Sequence, residues 1–150
     1  MNTSLTVDAI PQRPPFRFIE QILRGEPGQY AEASLHLRPD NPVFAGHFPK
    51  RPVFPGVLMI EQMAQTACWV MASIPGTPQK RLYALVRVEH CEFRQHAQPG
   101  DTLVAQARLE RQAGKFSFFD CQINRDDQNI AHARLLVASS DSSDPGVPLS

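Results

Sequence analysis

Residues 57–74, VLMIEQMAQTACWVMASI, run without glycine or proline and are stopped by Pro75-Gly76. Opened by Pro55-Gly56 and closed by those breakers, the stretch predicts a helix over 57–74. Its apolar residues do not keep to one stripe. Val57, Leu58, Met59, Ile60, Met63, Ala64, Ala67, Trp69, Val70 and Met71 cover nearly the whole circumference. A helix apolar all round is buried on all sides, so other elements must wrap it.

The flanks supply the wrapping. Phe16–Arg24 and Tyr30–Arg38 lie on either side of Glu26-Pro27-Gly28-Gln29, a good turn sequence. In the second run Ala31, Ala33, Leu35 and Leu37 alternate with Glu32, Ser34, His36 and Arg38, the period-two pattern of a half-buried strand. Three further regions add strand signals: Arg81–Glu89, Thr102–Gln112 behind the turn Pro99-Gly100-Asp101, and the pair Lys115–Asn124 and Ile130–Ala138. The expectation is an α+β fold, with five to six antiparallel strands in a curved sheet around one long helix at about 57–74. One domain of this size covers such a helix incompletely, so a second copy is expected to share the cover. No internal repeat or linker divides 1–138, which is read as a single domain. Residues 1–15 read as a loose arm with at most one helical turn. The polar tail 139–150, SSDSSDPGVPLS, is expected to be disordered.

Composition narrows the function classes. Fifteen basic residues balance fifteen acidic ones, which argues against nucleic-acid binding by bulk charge. The apolar fraction of 42% is that of a folded chain. Glu61, Gln62, Gln65 and Thr66 interrupt the most apolar stretch, so no membrane span is expected. Met1–Pro11 lacks the basic start and apolar run of a signal peptide. Cys68, Cys91 and Cys121 are odd in number and widely spaced, the pattern of reduced, mostly buried thiols in a cytoplasmic protein rather than of a disulfide or zinc framework. His90 and His96 are read as surface residues, and no metal site is expected.

Three features could carry chemistry. Glu61 lies one turn inside the buried helix, where a carboxylate is costly unless paired, hydrogen-bonded or facing a cavity; the plain alternative is a helix-end Glu reaching solvent. Gln65, one turn further on the same face, could hydrogen-bond it. His47 sits in Phe44-Ala45-Gly46-His47-Phe48-Pro49, and four prolines fall within 42–55. Such a stiff apolar loop suits an imidazole that must stay neutral and in place as a general base, although a lone loop histidine is more often just a surface group. The amides of Gly56 and Val57, at the helix start, offer unpaired donors at the positive end of the macrodipole. A base, an acid and an oxyanion site together describe proton abstraction beside a carbonyl with departure of a group one carbon further out.

The stretch GHFPKRPVFPGVLMIEQMAQ, residues 46–65, resembles the signature of the β-hydroxyacyl-(acyl carrier protein) dehydratases with the hotdog fold. The resemblance continues through Phe93 and Pro99-Gly100-Asp101 and covers about residues 10–138. It implies that His47 is the catalytic base and Glu61 the acid, contributed by opposite subunits of a homodimer that could assemble further. It places the oxyanion donor on the Gly56 amide, with Val57, Phe48 and Gln65 lining the substrate site. The implied reaction is loss of water from a (3R)-3-hydroxyacyl thioester to give a trans-2-enoyl thioester, without a cofactor. The implied partner is an acyl carrier protein bearing the acyl group on its phosphopantetheine, docked on a basic rim for which Lys50, Arg51, Arg81 and Arg94 are candidates. Glu at position 61 resembles the broad dehydratase branch rather than the isomerising one, which carries Asp.

The chain also departs from the family pattern. Ile10-Pro11-Gln12-Arg13-Pro14-Pro15-Phe16 lacks the usual His and Tyr, Lys50 replaces a Gly, and Tyr83-Ala84 and Arg87 change the strand at 82–88. These departures leave chain length open and fit a specialised pathway such as polyketide assembly as well as fatty-acid synthesis. The alternatives are a (3R)-enoyl-CoA hydratase, to which Asp40-Asn41-Pro42 bears a faint likeness, a hotdog thioesterase, or a non-catalytic module that binds acyl thioesters.

Overall fold

The computed structural model describes residues 5–79 and 81–141. Among these, strands β1 (Gln21–Glu26), β2 (Tyr30–His36), β3 (Arg81–Phe93), β4 (Thr102–Ala113), β5 (Phe116–Arg125) and β6 (Gln128–Asp141) form one antiparallel sheet. Their order across the sheet is β1-β2-β4-β5-β6-β3. A four-residue helix α1 (Val43–Gly46) and the long helix α2 (Gly56–Ala72) lie between β2 and β3. This is the wrapped helix of a hotdog fold, with α2 packed against all the strands from β2 to β6.

Small side chains let the sheet close on the helix. Ala31 faces Ala107, Ala107 faces Cys121 and Cys121 faces Ala133, a row of small residues across four strands. A second row runs Ala33, Ala105, Ile123, Ala131, small except at Ile123. All eight are buried, and the room they leave is taken by Met63, Trp69 and other bulky residues of α2. Gly25 in β1 serves the same end, because a Cβ there would stand 2.6 Å from Trp69 Cζ3. The hairpin turn is tied to the helix by Gly28 N–H donating to Val70 O at 2.8 Å, with Gly28 in the left-handed region at φ 77.

Several boundaries differ from the sequence reading. The first strand is not Phe16–Arg24 but Gln21–Glu26, because the backbone at Phe16 and Phe18 bonds to the Gln65 side chain instead of to a strand. The arm holds one short 3-10 turn, Val7–Ala9. α2 begins at Gly56 and ends at Ala72. β3 runs on to Phe93, past a bulge near His90 whose backbone is left-handed at φ 51. The last strand reaches Asp141, since Leu82 and Tyr83 of β3 give Ser140 and Ser139 partners; residues 139–141 are therefore strand and not tail. The rest of the expected tail, 142–150, lies outside the described residues.

The helix is also not buried on all sides within one chain. Val57 is 71% exposed, and Leu58, Ile60, Glu61 and Ala64 are only half-buried. The two sheet edges differ in kind. β1 is short and carries the Arg24–Glu32 ion pair to β2. β3 is long and open, and it exposes Leu82, Val88 and Phe93 among Arg87, Glu89, His90 and Glu92, so it offers backbone for pairing along a mixed apolar and charged edge.

Candidate active site

His47 is placed by a small anchored frame. Asn41 Oδ1 accepts the Val43 N–H at 3.0 Å and starts α1. That bond is an Asn turn leading into α1, and with Asp40 paired to exposed Arg38 it gives Asp40-Asn41-Pro42 a local structural use. Phe44 is buried and its ring lies 6.4 Å from that of Phe54, which pins α1 to the core. His47 then closes the helix, its N–H donating to Val43 O at 3.0 Å. Phe48 follows with a left-handed backbone at φ 65, a conformation that costs a bulky residue about 1–3 kcal/mol and reverses the chain over the imidazole. The two rings stand 4.3 Å apart.

The His47 ring is oriented by one bond. Nδ1 lies 2.9 Å from Val53 O. A carbonyl oxygen only accepts, so Nδ1 carries the hydrogen and Nε2 of the neutral ring keeps its lone pair. That is the state a general base needs.

Glu61 is the complement. Its carboxyl is half-buried in the second turn of α2, and burial pushes it above the ordinary carboxylate range, opposed in part by a hydrogen bond from Gln65. The Gln65 Nε2 donates to Glu61 Oε2 at 2.9 Å and to Phe16 O at 3.0 Å, while its Oε1 accepts the Phe18 N–H at 2.7 Å. Fully enclosed and fully bonded, Gln65 holds both the carboxyl and the entering chain. Cys68, one turn on, is buried, and its thiol is pushed up by burial and by the Glu61 charge. Cys121 is likewise buried with its thiol pushed up, whereas Cys91 is only half-buried.

Gly56 opens α2 behind Pro55, so its N–H precedes any intrahelical acceptor. The ring of Phe93 rests on it, with Cζ 3.0 Å from where a Cβ would stand. A larger residue here would press the ring away, and bare backbone keeps the donor approachable. Val57, next in the chain, is exposed, and so is Phe48 against the His47 ring, at 58%.

Within the chain His47 and Glu61 are tethered separately. Among the described residues, no hydrogen bond or ion pair joins His47 to Glu61; the one is held by Val53, the other by Gln65. Of the remaining sequence candidates, Lys50 and Arg51 are exposed in the His47 loop, and Arg94 is bonded to Glu92 and Asn129. Arg87 pairs with Glu89 on exposed β3. Tyr83 is half-buried with its hydroxyl pushed up to about 12 by burial. His90 and His96 are exposed.

The sequence reading overlooked the Val53 carbonyl and the clamp on Phe16 and Phe18. Both work through backbone atoms, which leave no side-chain signature. The only hint was the proline frame around Val53.

Comparison with known proteins agrees with this architecture. A FabA-like domain model matches residues 10–134. The 3-hydroxyacyl-[acyl-carrier-protein] dehydratase FabZ of Rickettsia bellii (strain RML369-C) is 32% identical over 137 residues, 91% of this chain and 94% of that one. The same enzyme of Rickettsia africae (strain ESF-5) is 32% identical over 135 residues, 90% and 93% of the two chains. Among solved structures, the dehydratase heterocomplex ApeI:P from Xenorhabdus doucetiae superposes with a TM-score of 0.76 at 20% identity, over 92% of this chain and 93% of that one. A hypothetical thioesterase with coenzyme A from Streptococcus pneumoniae TIGR4 shares the fold at a TM-score of 0.62 and 11% identity, over 81% and 85%. With a family model spanning most of its length and FabZ relatives aligned nearly end to end, the chain belongs to the FabA-like family.

Proposed function

We propose that the protein is a hydro-lyase that removes water from (3R)-3-hydroxyacyl thioesters carried on acyl carrier protein. The observation that carries this reading is the complementary state of the two groups. His47 Nδ1 is tied to Val53 O, which leaves Nε2 as the basic nitrogen of the neutral ring, and burial keeps the Glu61 carboxyl protonated to higher pH than usual. His47 Nε2 takes the C2 proton, and the C2–H electrons become the C2–C3 double bond. The thioester oxygen gathers negative charge opposite the Gly56 N–H, and Glu61 gives its proton to the departing 3-hydroxyl, which leaves as water. The cycle ends with His47 protonated and Glu61 ionised, and one proton passed back through solvent resets the pair.

The site is completed across a two-fold axis, His47 of one copy meeting Glu61 of the other in a homodimer. The separate tethering of the two groups supports this, as do the long open edge of β3 and the exposed start of α2. The carrier docks by its acidic surface near Lys50 and Arg51, the exposed basic pair three and four residues beyond His47. The cytoplasm is its compartment. The altered strand at Tyr83, Ala84 and Arg87 supports a specialised acyl range such as that of polyketide assembly.

The test is incubation with a panel of 3-hydroxyacyl carrier proteins, followed by mass spectrometry. Loss of water from the acyl group supports the proposal. Release of free thiol would make the protein a thioesterase, and binding without turnover would make it a carrier of acyl thioesters only.

A further inference from the structure

The Pro99-Gly100-Asp101 turn takes no part in the elimination, yet the hydrogen bonds around it lead back to His47. The peptide group between Val53 and Phe54 is engaged on both sides. Its C=O accepts from His47 Nδ1 at 2.9 Å, and its N–H donates to Ala97 O at 2.8 Å. Ala97 is fully buried in the segment that leads into the turn. That segment is gripped by Arg125, at the end of β5. Nη1 donates to His96 O at 2.6 Å and to Asp101 Oδ2 at 3.3 Å, and Nη2 donates to Gln95 Oε1 at 2.6 Å. Asp101 Oδ2 also accepts the Gln98 N–H at 2.9 Å. From the other side, Leu37 N–H donates to Asp101 O at 2.8 Å and Leu37 O accepts the Gly100 N–H at 2.6 Å.

A guanidinium that donates to three acceptors spreads its grip over three points of a loop, whereas an ammonium gathers its donors on one nitrogen. Hydrogen bonds in series also polarise one another, so the carbonyl facing His47 gains from the donor bond made by its own peptide N–H. If the 95–101 segment shifts, the Val53–Phe54 peptide loses its acceptor and is free to turn. Nδ1 then loses its partner, and the tautomer with hydrogen on Nε2, useless as a base, becomes accessible.

We propose that Arg125 is a positioning residue for the reaction: by clamping 95–101 it fixes the Val53–Phe54 peptide, and through it the ring orientation and tautomer of His47. The proposal rests on His47 being the base. The ion pair of Arg125 with Asp101 gives the Pro-Gly-Asp turn its part in the site.

The experiment combines kinetics with nitrogen-15 NMR of the full-length protein labelled in histidine. The His47 signal is identified by its absence in His47→Ala. Wild type should show Nδ1 protonated and Nε2 bare. Arg125→Ala should shift His47 toward a mixture of tautomers, with kcat falling roughly 10–100-fold, the range for lost outer support of a reacting group, and KM nearly unchanged. Arg125→Lys, which keeps the charge but only one point of the grip, should fall between. A wild-type tautomer together with wild-type kcat in Arg125→Ala would overturn the proposal. So would a loss of kcat in a variant whose His47 spectrum is unaltered, since that is what general destabilisation gives. Should Arg125→Ala not fold, Arg125→Lys decides alone: an intermediate spectrum and rate support the clamp, and wild-type values refute it. If wild type shows the stated tautomer and its response to Arg125 but dehydrates nothing, the clamp stands and the dehydratase reading is what fails.

Discussion

Replacing Gln65 by Leu tests how much of the site hangs on one buried amide. Leu fills a similar volume and suits the helix, so packing is nearly preserved and the change is chiefly the loss of three hydrogen bonds. Two of the abandoned partners are backbone groups, Phe16 C=O and Phe18 N–H, and the enclosure of Gln65 leaves little room for water to replace it. An unsatisfied buried group costs about 1–3 kcal/mol, and the Phe16 carbonyl, on a segment whose ring is exposed, recovers part of its loss from solvent. The net cost is therefore about 2–4 kcal/mol. For a domain of this size each kcal/mol lowers the melting temperature by roughly 2–4 °C, so a drop of roughly 4–16 °C is expected. Thermal unfolding followed by circular dichroism, with urea melts as a second measure, reads it directly. The same substitution removes the donor that holds the Glu61 carboxyl down, so Glu61 should keep its proton to still higher pH and the alkaline fall in activity should move upward. A midpoint within about 1 °C of wild type would refute the stability reasoning. An unmoved alkaline limb would show that Gln65 does not govern the acid.

Three further outcomes follow from the same structure. His47→Ala and Glu61→Gln should each lose 10²–10⁴-fold or more in turnover, yet co-expression should restore about a quarter of the sites if each is built from two chains; no recovery, with subunit exchange confirmed by mass, would place both groups in one chain. Because burial raises the folded-state pKa of Glu61, its protonated form favours folding below the ordinary Glu range, and that contribution is lost as pH rises through the raised value. Glu61→Gln should therefore gain stability relative to wild type as pH climbs from acid toward neutral, and a difference constant across urea melts in that range would contradict it. Gly25→Ala drives a Cβ against the Trp69 ring at 2.6 and 2.7 Å and should cost about 1–3 kcal/mol by overpacking. A melting temperature equal to wild type would mean that the ring can move aside.

The sequence by itself determined the elements that depend on near neighbours. The run from Val57 to Ile74, free of breakers, marked a helix, and the alternation of Ala31, Ala33 and Leu35 marked a strand with one covered face. The apolar pattern overstated how far one chain encloses the helix, whose start is exposed at Val57. His47 and Glu61 could be singled out as candidates from a stiff proline loop and a carboxylate inside an apolar helix, while the roles assigned to them came from the resemblance of residues 46–65 to the dehydratase signature. Tertiary structure alone decided whatever runs through backbone atoms or between distant segments. The Val53 carbonyl that selects the tautomer of His47 lies only six residues away but acts through a backbone atom, while the diversion of Phe16 and Phe18 to the Gln65 side chain and the grip of Arg125 on residues 95–101 join positions far apart in sequence. Every residue offers the same carbonyl and amide, so no letter of the sequence marks the one that will be used; only the packing that brings two segments within 3 Å does.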